Sequence, residues 1–189
     1  HAIELSDGRL LSMSSDNTLR LWDKDGVPLA VLEGHSDFIR GGIELSNGKL
    51  LSWGNDMTLR LWDNGGRLLT VLEGHTNDVD GAIELSDGRL LSWDGNSILL
   101  WDEDGVSLTT LEGTNIIELS DGRLLSWGYN DNNLRLWDKD NLPLAVLEGH
   151  TDSVQGAIEL SDGRLLSWGY NDNNLRLWDK DGLLLTSIE

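Results

Sequence analysis

The chain repeats one motif five times, and this periodicity constrains the fold more than any other feature. The sequence ELSDGRLLS and its variants place a glutamate at Glu4, Glu44, Glu84, Glu118 and Glu159, in steps of 40, 40, 34 and 41 residues. A second marker, LWD, ends at Asp23, Asp63, Asp102, Asp138 and Asp179 and keeps the same phase. Repeats of this length build solenoids, propellers or stacked arrays, in which each unit is buried against its neighbours.

The copies use the whole chain without leaving a linker. We therefore expect one domain over residues 1–189, with repeats at about 2–41, 42–81, 82–115, 116–156 and 157–189.

Each copy contains four short apolar runs separated by Gly, Asp and Asn, which is typical of consecutive hairpins. In the second copy these runs are 42–45, 49–53, 58–62 and 67–72. Their apolar residues alternate onto both faces, so each copy predicts a four-stranded antiparallel sheet that must stack on its neighbours. The fold class predicted is all-β.

Composition excludes several kinds of partner. The chain has 33 acidic and 14 basic residues and a net charge of -19, which repels nucleic acid and anionic membrane surfaces. It has no cysteine, so disulfides and thiolate metal sites are excluded. We expect no membrane span and a cytoplasmic location.

The order Gly-His, a second-strand Ser, a turn Asp and a Trp-Asp that closes the third strand resembles the WD-repeat β-propeller family. The resemblance covers essentially the whole chain and implies a β-propeller of five four-stranded antiparallel WD-like blades. It also implies a hydrogen-bonded tetrad in each blade. The tetrad is complete in the second and fifth copies, as His35, Ser52, Asp56 and Trp62 and as His150, Ser167, Asp172 and Trp178.

The other copies depart from this pattern. The third has a shortened turn in which Asp94 is the nearest candidate acceptor, and the fourth has no His after a connector that is five residues shorter. The first copy begins after its His position. The matching residues are Ser12, Asp16 and Trp22 in the first copy, His75, Ser92 and Trp101 in the third, and Ser126, Asp131 and Trp137 in the fourth.

A catalytic triad is the alternative interpretation of these His, Ser and Asp residues, but their repetition favours a structural role. No single set of polar residues breaks the repeat at one place, so we expect no enzyme and no cofactor.

Turns such as 23–26 and 179–182 partly resemble a calcium loop, yet Asp and Gly are favoured in hairpin turns anyway. We expect no metal site.

Two further sets of repeated side chains have competing interpretations. The five glutamates could form a cation-binding ring near an axis, but pairing with the Arg or Lys five residues later, as for Glu4 and Arg9, is favoured. The second-strand tryptophans could form an aromatic cage, but packing between blades is favoured. They are Trp53, Trp93, Trp127 and Trp168.

The copies diverge mainly at one end of the blades, which holds the fourth-to-first loops and the second-to-third turns. The resemblance implies a non-enzymatic scaffold that binds protein or peptide there, through Phe38, Arg40, Asp80, Tyr129, Gln155 and Tyr170. The alternatives are an engineered or recently amplified propeller without a defined ligand and, last, a catalytic propeller. Self-association is expected if a ring of five blades does not close alone.

Overall fold

The computed structural model describes residues 1–128 and 131–188. Within these ranges the chain forms strands and turns, without a helix. The strands build five four-stranded antiparallel sheets, each in chain order, as the repeat predicted. The described residues accordingly include no helix of the length and apolarity that a membrane span requires.

The chain divides into two compact units, residues 1–110 and residues 111–189. The prediction of a single domain over residues 1–189 stays a prediction. The first sheet consists of β1 (Ala2–Glu4), β2 (Leu10–Met13), β3 (Leu19–Trp22) and β4 (Pro28–Leu32), and the second of β5 (Ile39–Glu44), β6 (Leu50–Gly54), β7 (Leu59–Trp62) and β8 (Leu68–Leu72). The third sheet consists of β9 (Gly81–Glu84), β10 (Leu90–Trp93), β11 (Ile98–Trp101) and β12 (Ser107–Leu111). The last residue of β12 falls in the second unit.

The second unit contains the fourth and fifth sheets. The fourth sheet consists of β13 (Asn115–Glu118), β14 (Leu124–Trp127), β15 (Leu134–Trp137) and β16 (Pro143–Leu147). The fifth consists of β17 (Val154–Glu159), β18 (Leu165–Gly169), β19 (Leu175–Trp178) and β20 (Leu184–Ile188).

The first strand of the second sheet is longer than its apolar run predicted. It begins at Ile39 rather than at residue 42, with a register shift between Ile39 and Gly41. The Asn55 N–H also donates to the Phe38 carbonyl at 2.9 Å, which continues the pairing beyond the bulge. The bulge therefore ties the fourth-to-first loop to the second-to-third turn.

Sheets pack face to face inside each unit. We call the side of a sheet that packs on the following sheet its forward face, and the side that packs on the preceding sheet its rear face. One buried cluster joins the forward face of the first sheet, Leu11, Leu19, Leu21 and Leu32, to the rear face of the second, Ile39, Leu50 and Trp62.

The same packing joins the second sheet to the third and the fourth to the fifth. Leu59, Leu61 and Leu72 meet Leu90 and Trp101 in the first unit. In the second unit the cluster combines Leu125, Leu134, Leu136 and Leu147 with Val154, Leu165 and Trp178.

Among the repeated glutamates, Glu44, Glu84 and Glu159 join neighbouring sheets, so their predicted pairing with the Arg or Lys five residues later is wrong. The Ser6 backbone N–H and hydroxyl donate to the two carboxylate oxygens of Glu44, at 2.6 and 2.9 Å. Arg9 instead pairs with Asp7 in its own turn. The same serine–glutamate pair recurs at Ser46 and Glu84 and at Ser120 and Glu159.

The basic residue after this turn also contacts the following sheet. Arg9 donates to the Asn64 carbonyl, and Lys49 lies 3.0 Å from the Asp104 carboxylate. In the second unit, Arg123 lies 3.8 Å from Asp181. Each of these contacts joins the first turn of one sheet to the third turn of the next.

Two of the second-strand tryptophans lie between packed sheets. Trp53 and Trp127 are buried in the clusters that join their sheets to the following ones. Trp93 and Trp168 are half-buried, and each ring covers the glycine opposite it, Gly81 and Gly156. The expected packing between blades fits Trp53 and Trp127, and for Trp93 and Trp168 it stays a prediction.

Candidate functional site

The second sheet holds a continuous hydrogen-bonded network. Trp62 donates its indole N–H to the Ser52 hydroxyl oxygen at 2.9 Å, and Ser52 lies 2.8 Å from His35 Nε2. His35 Nδ1 lies 2.8 Å from the Asp56 carboxylate. Because a carboxylate only accepts, Nδ1 carries the proton, and Nε2 of the neutral ring accepts from Ser52. Donation therefore runs in one direction, from Trp62 to Asp56.

Burial sets the charge states in this network. It lowers the pKa of the His35 imidazole below its usual 6.5, although the Asp56 charge opposes this shift. Burial opposes ionisation of Asp56, but hydrogen bonds from Thr58, Ser36 and His35 keep the pKa of that carboxyl below its usual 3.8. The result is a neutral imidazole beside a carboxylate.

The fifth sheet repeats the network. His150 Nε2 lies 2.8 Å from the Ser167 hydroxyl, Trp178 donates to that same oxygen at 2.9 Å, and His150 Nδ1 contacts Asp172. Burial opposes ionisation of Asp172, yet hydrogen bonds, that of His150 foremost, hold its pKa below the usual value. The two complete sets predicted from the sequence are thus brought together in their own sheets.

In the third sheet Asp94 occupies the acidic position. His75 Nε2 lies 2.7 Å from Ser92, and Asp94 is 3.3 Å from Nδ1 without the alignment of a hydrogen bond. The carboxylate is held instead by the backbone N–H groups of Asn96 and Ser97 at 2.8 and 2.7 Å. Burial lowers the pKa of His75, as it does for His35.

The fourth sheet replaces the missing histidine with a backbone acceptor. Trp137 donates to Ser126 at 2.9 Å, and the Ser126 hydroxyl donates to the Glu112 carbonyl at 2.6 Å. Asp131 pairs with Arg135, whose Nε also lies 2.7 Å from the Glu112 carboxylate. The shorter connector therefore still satisfies the buried serine.

The first sheet keeps only part of the network. Trp22 donates to Ser12 at 2.8 Å. Asp16 accepts hydrogen bonds from Thr18 and pairs with Arg20. Hydrogen bonds, that of the Thr18 hydroxyl foremost, lower the pKa of Asp16 to about 2.

In the Asp-rich turns at the opposite end of the sheets, the aspartate carboxylate accepts hydrogen bonds from backbone N–H groups of the same turn. Asp23 Oδ1 accepts the N–H groups of Asp25 and Val27 at 2.9 and 2.8 Å, and Gly26 takes a φ of 81° to complete the turn. Over residues 1–128 and 131–188, His, Asp and Glu are nowhere grouped in threes or more as a metal site would require.

At the loop end of the first unit, Arg40 and Asp80 contact each other. Arg40 also donates to Asp78 at 2.8 Å and to the side-chain oxygen of Asn55. Both aspartates line an open groove of about 450 Å³, together with Met57, Asn77, Gly95 and Asn96. Phe38 projects from the neighbouring loop and is half exposed.

Sequence reasoning missed Asn55 and Asp78 as partners of Arg40. The signal that could have found Asp78 was its charge. Asp78 and Asp80 lie in the loop before the third sheet, and Arg40 is the only arginine in the corresponding loops of the sequence.

In the second unit, Gln155 and Tyr170 are exposed. The Tyr170 N–H donates to the Ser153 carbonyl at 2.9 Å, and Asn171 donates to Asp152 at 2.7 Å, so turn and loop are held together. Tyr129 lies outside the described residues.

These observations define an all-β repeat protein of four-stranded sheets whose loops are pinned by buried polar networks. The family model for the WD domain, G-beta repeat, matches residues 5–23 and 141–179, and the second match spans the complete network of the fifth sheet. With the five four-stranded sheets, these matches fit a WD-repeat propeller. A search of curated proteins found no match to the chain. WD repeats suggest a scaffold for protein interaction.

Proposed function

We propose that the chain is a non-enzymatic scaffold that binds a protein or peptide through the loop end of its blades. The residues proposed for contact are Phe38, Arg40 and Asp80 in the first unit and Tyr129, Gln155 and Tyr170 in the second. The observation that carries the proposal is the exposure of Phe38 and Tyr170 at loops that their own sheets hold in place. Aromatic side chains on fixed loops supply contact area at a low entropic cost.

The buried networks argue against the catalytic alternative. Ser52 is fully buried, and its oxygen already accepts from Trp62 while its proton points to His35. A serine nucleophile must reach its substrate, and this hydroxyl does not reach solvent. The tetrads, His35, Ser52, Asp56 and Trp62 and His150, Ser167, Asp172 and Trp178, are proposed as structural.

The groove of the first unit supports a peptide ligand. Its volume of about 450 Å³ suits one or two side chains, and it is lined by polar and acidic groups around the exposed Met57. Arg40 neutralises part of the acidic charge there, because it contacts both Asp78 and Asp80. We expect a mixed apolar and basic segment to fit this groove.

The experiment captures partners from a lysate on the immobilised chain and then measures the affinity of each purified partner for four variants. Phe38→Ala and Tyr170→Ala test the loop end. Val106→Ala and Leu183→Ala are matched controls in the same units at the opposite end, and Leu183 is 67% exposed where Tyr170 is 66%. We expect a loss of about tenfold or more for at least one loop variant, since aromatic anchors carry most binding energy.

The controls should change the affinity less than about twofold, on the expectation that exposed positions outside an interface are nearly neutral. Equal losses from both ends contradict the assignment of the loop end. A partner that binds the Phe38→Ala and Tyr170→Ala variants as tightly as it binds the wild-type chain also contradicts this assignment. Far-ultraviolet circular dichroism of each variant checks that the fold is retained.

A further inference from the structure

The groove of the first unit lies beside the shortened β10–β11 turn of the third sheet. Met57 lines it from the β6–β7 turn of the second sheet, and Gly95 and Asn96 line it from the shortened turn. All its lining residues fall within residues 57–96, inside the first unit. A methyl group added at Gly95 would meet nothing within 4 Å, and the φ of Gly95 is negative, so the backbone does not require glycine there. The missing side chain therefore leaves room in the groove.

Met57 has a backbone conformation that is unfavourable for methionine. Its φ is 61°, in the left-handed region, and at the same turn position of the first and fifth sheets Asn17 and Asn173 have φ values of 65° and 53°. Asparagine tolerates this region better than methionine does. The Met57 side chain gains little burial in return, because it is 45% exposed. Methionine adapts to varied apolar surfaces, so its place in the groove favours contact with a ligand.

Two amide side chains of the groove have unused hydrogen-bonding capacity. The backbone N–H groups of Asn77 and Asn96 both donate to Asp94. Within residues 1–128 and 131–188, the side-chain amides of these two asparagines make no hydrogen bond. Each amide can both donate and accept, which suits the N–H and C=O groups of a peptide backbone.

Arg40 holds the two aspartates of the groove in place. Its guanidinium donates to one oxygen of Asp78 at 2.8 Å and to one oxygen of Asp80, and its Nε donates to Asn55. In the part of the chain that the structure describes, the other oxygen of each carboxylate accepts no hydrogen bond. Two carboxylates beside one guanidinium leave a net negative charge, so the groove favours a cationic group.

We infer that the groove binds an extended peptide segment of a partner protein in which an apolar residue adjoins an arginine or lysine. The basic side chain binds the free carboxylate oxygens of Asp78 and Asp80, and the apolar side chain packs on Met57 in the space beside Gly95. The two asparagine amides bind the peptide backbone. The chain's net charge of -19 also favours a basic partner. This inference rests on the proposed function, because it names the ligand chemistry of one part of the loop end.

The probe is the acetylated and amidated peptide Ala-Leu-Arg-Ala, titrated into the isotopically labelled whole chain and followed by NMR. Two control peptides replace one side chain each, arginine by glutamine or leucine by alanine. The backbone amide signals of Gly95 and Asn96 should shift with the first peptide, and the affinity for each control should be lower by about fivefold or more. Added salt should weaken binding of the arginine peptide, because the Asp78 and Asp80 side chains are 41% and 43% exposed.

Two variants separate a role in binding from a role in the fold. Met57→Asn introduces the residue that other copies carry, so it should be at least as stable as the wild-type chain, yet it should bind the peptide about threefold or more weakly. Gly95→Leu fills the groove at an exposed position and should abolish binding.

A third pair of variants tests the charge. Asp80→Asn should lower the affinity by about fivefold or more, because it removes the charge that binds the basic side chain. Asp25→Asn is the matched control, since Asp25 is also exposed in the first unit but lies at the opposite end of the sheets. It should change the affinity by less than about twofold.

No shift at Gly95 and Asn96, or equal binding of the glutamine peptide, overturns the inference. A Met57→Asn variant that is less stable than the wild-type chain, or that binds as tightly, also overturns it, and so does binding by Gly95→Leu. These outcomes leave the proposed function to the captured partner and its dependence on Phe38 and Tyr170. Failure of that capture test, with peptide binding in the groove intact, would remove the wider loop-end assignment alone.

Discussion

The indole of Trp53 covers the α-carbon of Gly41 so closely that a methyl group there would lie 2.3 Å from the ring. Gly81 and Trp93, and Gly156 and Trp168, repeat this contact at 2.2 and 2.3 Å. In the first sheet, His1 stands at the glycine position and Met13 at the tryptophan position. Glycine is therefore required at this position because the tryptophan ring leaves no room for a side chain.

Gly41→Ala should destabilise the protein by about 1–3 kcal/mol, because the added methyl overpacks a ring that is buried on its other side. Chemical denaturation followed by circular dichroism measures the loss. Gly95→Ala is the matched control, since a methyl there meets nothing within 4 Å. Adding Trp53→Met to Gly41→Ala should recover part of the loss, and a double variant no more stable than the single one would contradict the clash.

Trp62→Ala should cost about 3–5 kcal/mol, as expected for a large buried aromatic side chain. The indole is 1% exposed, and its removal also takes a donor from Ser52. Trp178→Ala should behave alike in the fifth sheet. Denaturant titration of both variants is the measurement, and a loss under about 1 kcal/mol would show that the indole is not part of the core.

The serine–glutamate pair of Ser46 and Glu84 should show measurable coupling. Ser46→Ala alone should cost about 0.5–1.5 kcal/mol, the usual net value of one hydrogen bond. In a Glu84→Ala background the same change should cost nothing, because the acceptor has gone. Glu33→Ala, at an exposed position, is the control; additive losses in the cycle would exclude a direct pair.

Acid should destabilise the protein in two steps. The pKa values of His35 and His75 are below 6.5 in the folded chain, so below about pH 6.5 the unfolded chain binds more protons. Stability is therefore lost as the pH falls below about 6.5. The depressed pKa values of Asp56 and Asp94 add a stabilisation that is present above pH 3.8 and lost as the pH falls below it.

Denaturation midpoints measured from about pH 8 to about pH 5 test the histidine step. A His35→Gln variant should show a smaller decline over this interval. Constant stability across it would contradict a neutral buried imidazole.

The sheets could be predicted from the order of apolar runs and turns along the chain, whereas the tetrads were expected only from the resemblance to the WD-repeat family. Alternation fixes which residues share a face, and hairpins bring Ser52 opposite Arg60 with Trp62 two residues on. The partner of Glu44 could not be obtained in this way. Its carboxylate binds Ser6 in the preceding sheet, so the pairing depends on stacking geometry rather than on hairpin register.

The sequence could predict which end of the sheets carries the variable loops, but not the contacts between those loops. Divergence between copies marked Arg40 and Asp80, but their mutual contact requires the approach of two loops from different sheets. Likewise, the replacement of a histidine by the Glu112 carbonyl depends on the path of a shortened connector. Neither is encoded in spacing alone.

The second sheet carries two indoles in contrasting environments. Trp62 Nε1 is hydrogen-bonded to Ser52, whereas Trp53 Nε1 is buried without a partner. The fourth sheet has the same contrast between Trp137 and Trp127. A hydrogen-bonded indole proton resonates downfield of one without a hydrogen bond, so the second and fourth sheets each supply a pair of distinguishable NMR signals. One signal of each pair reports on the loop network and the other on sheet stacking, which makes local loosening observable without any added label.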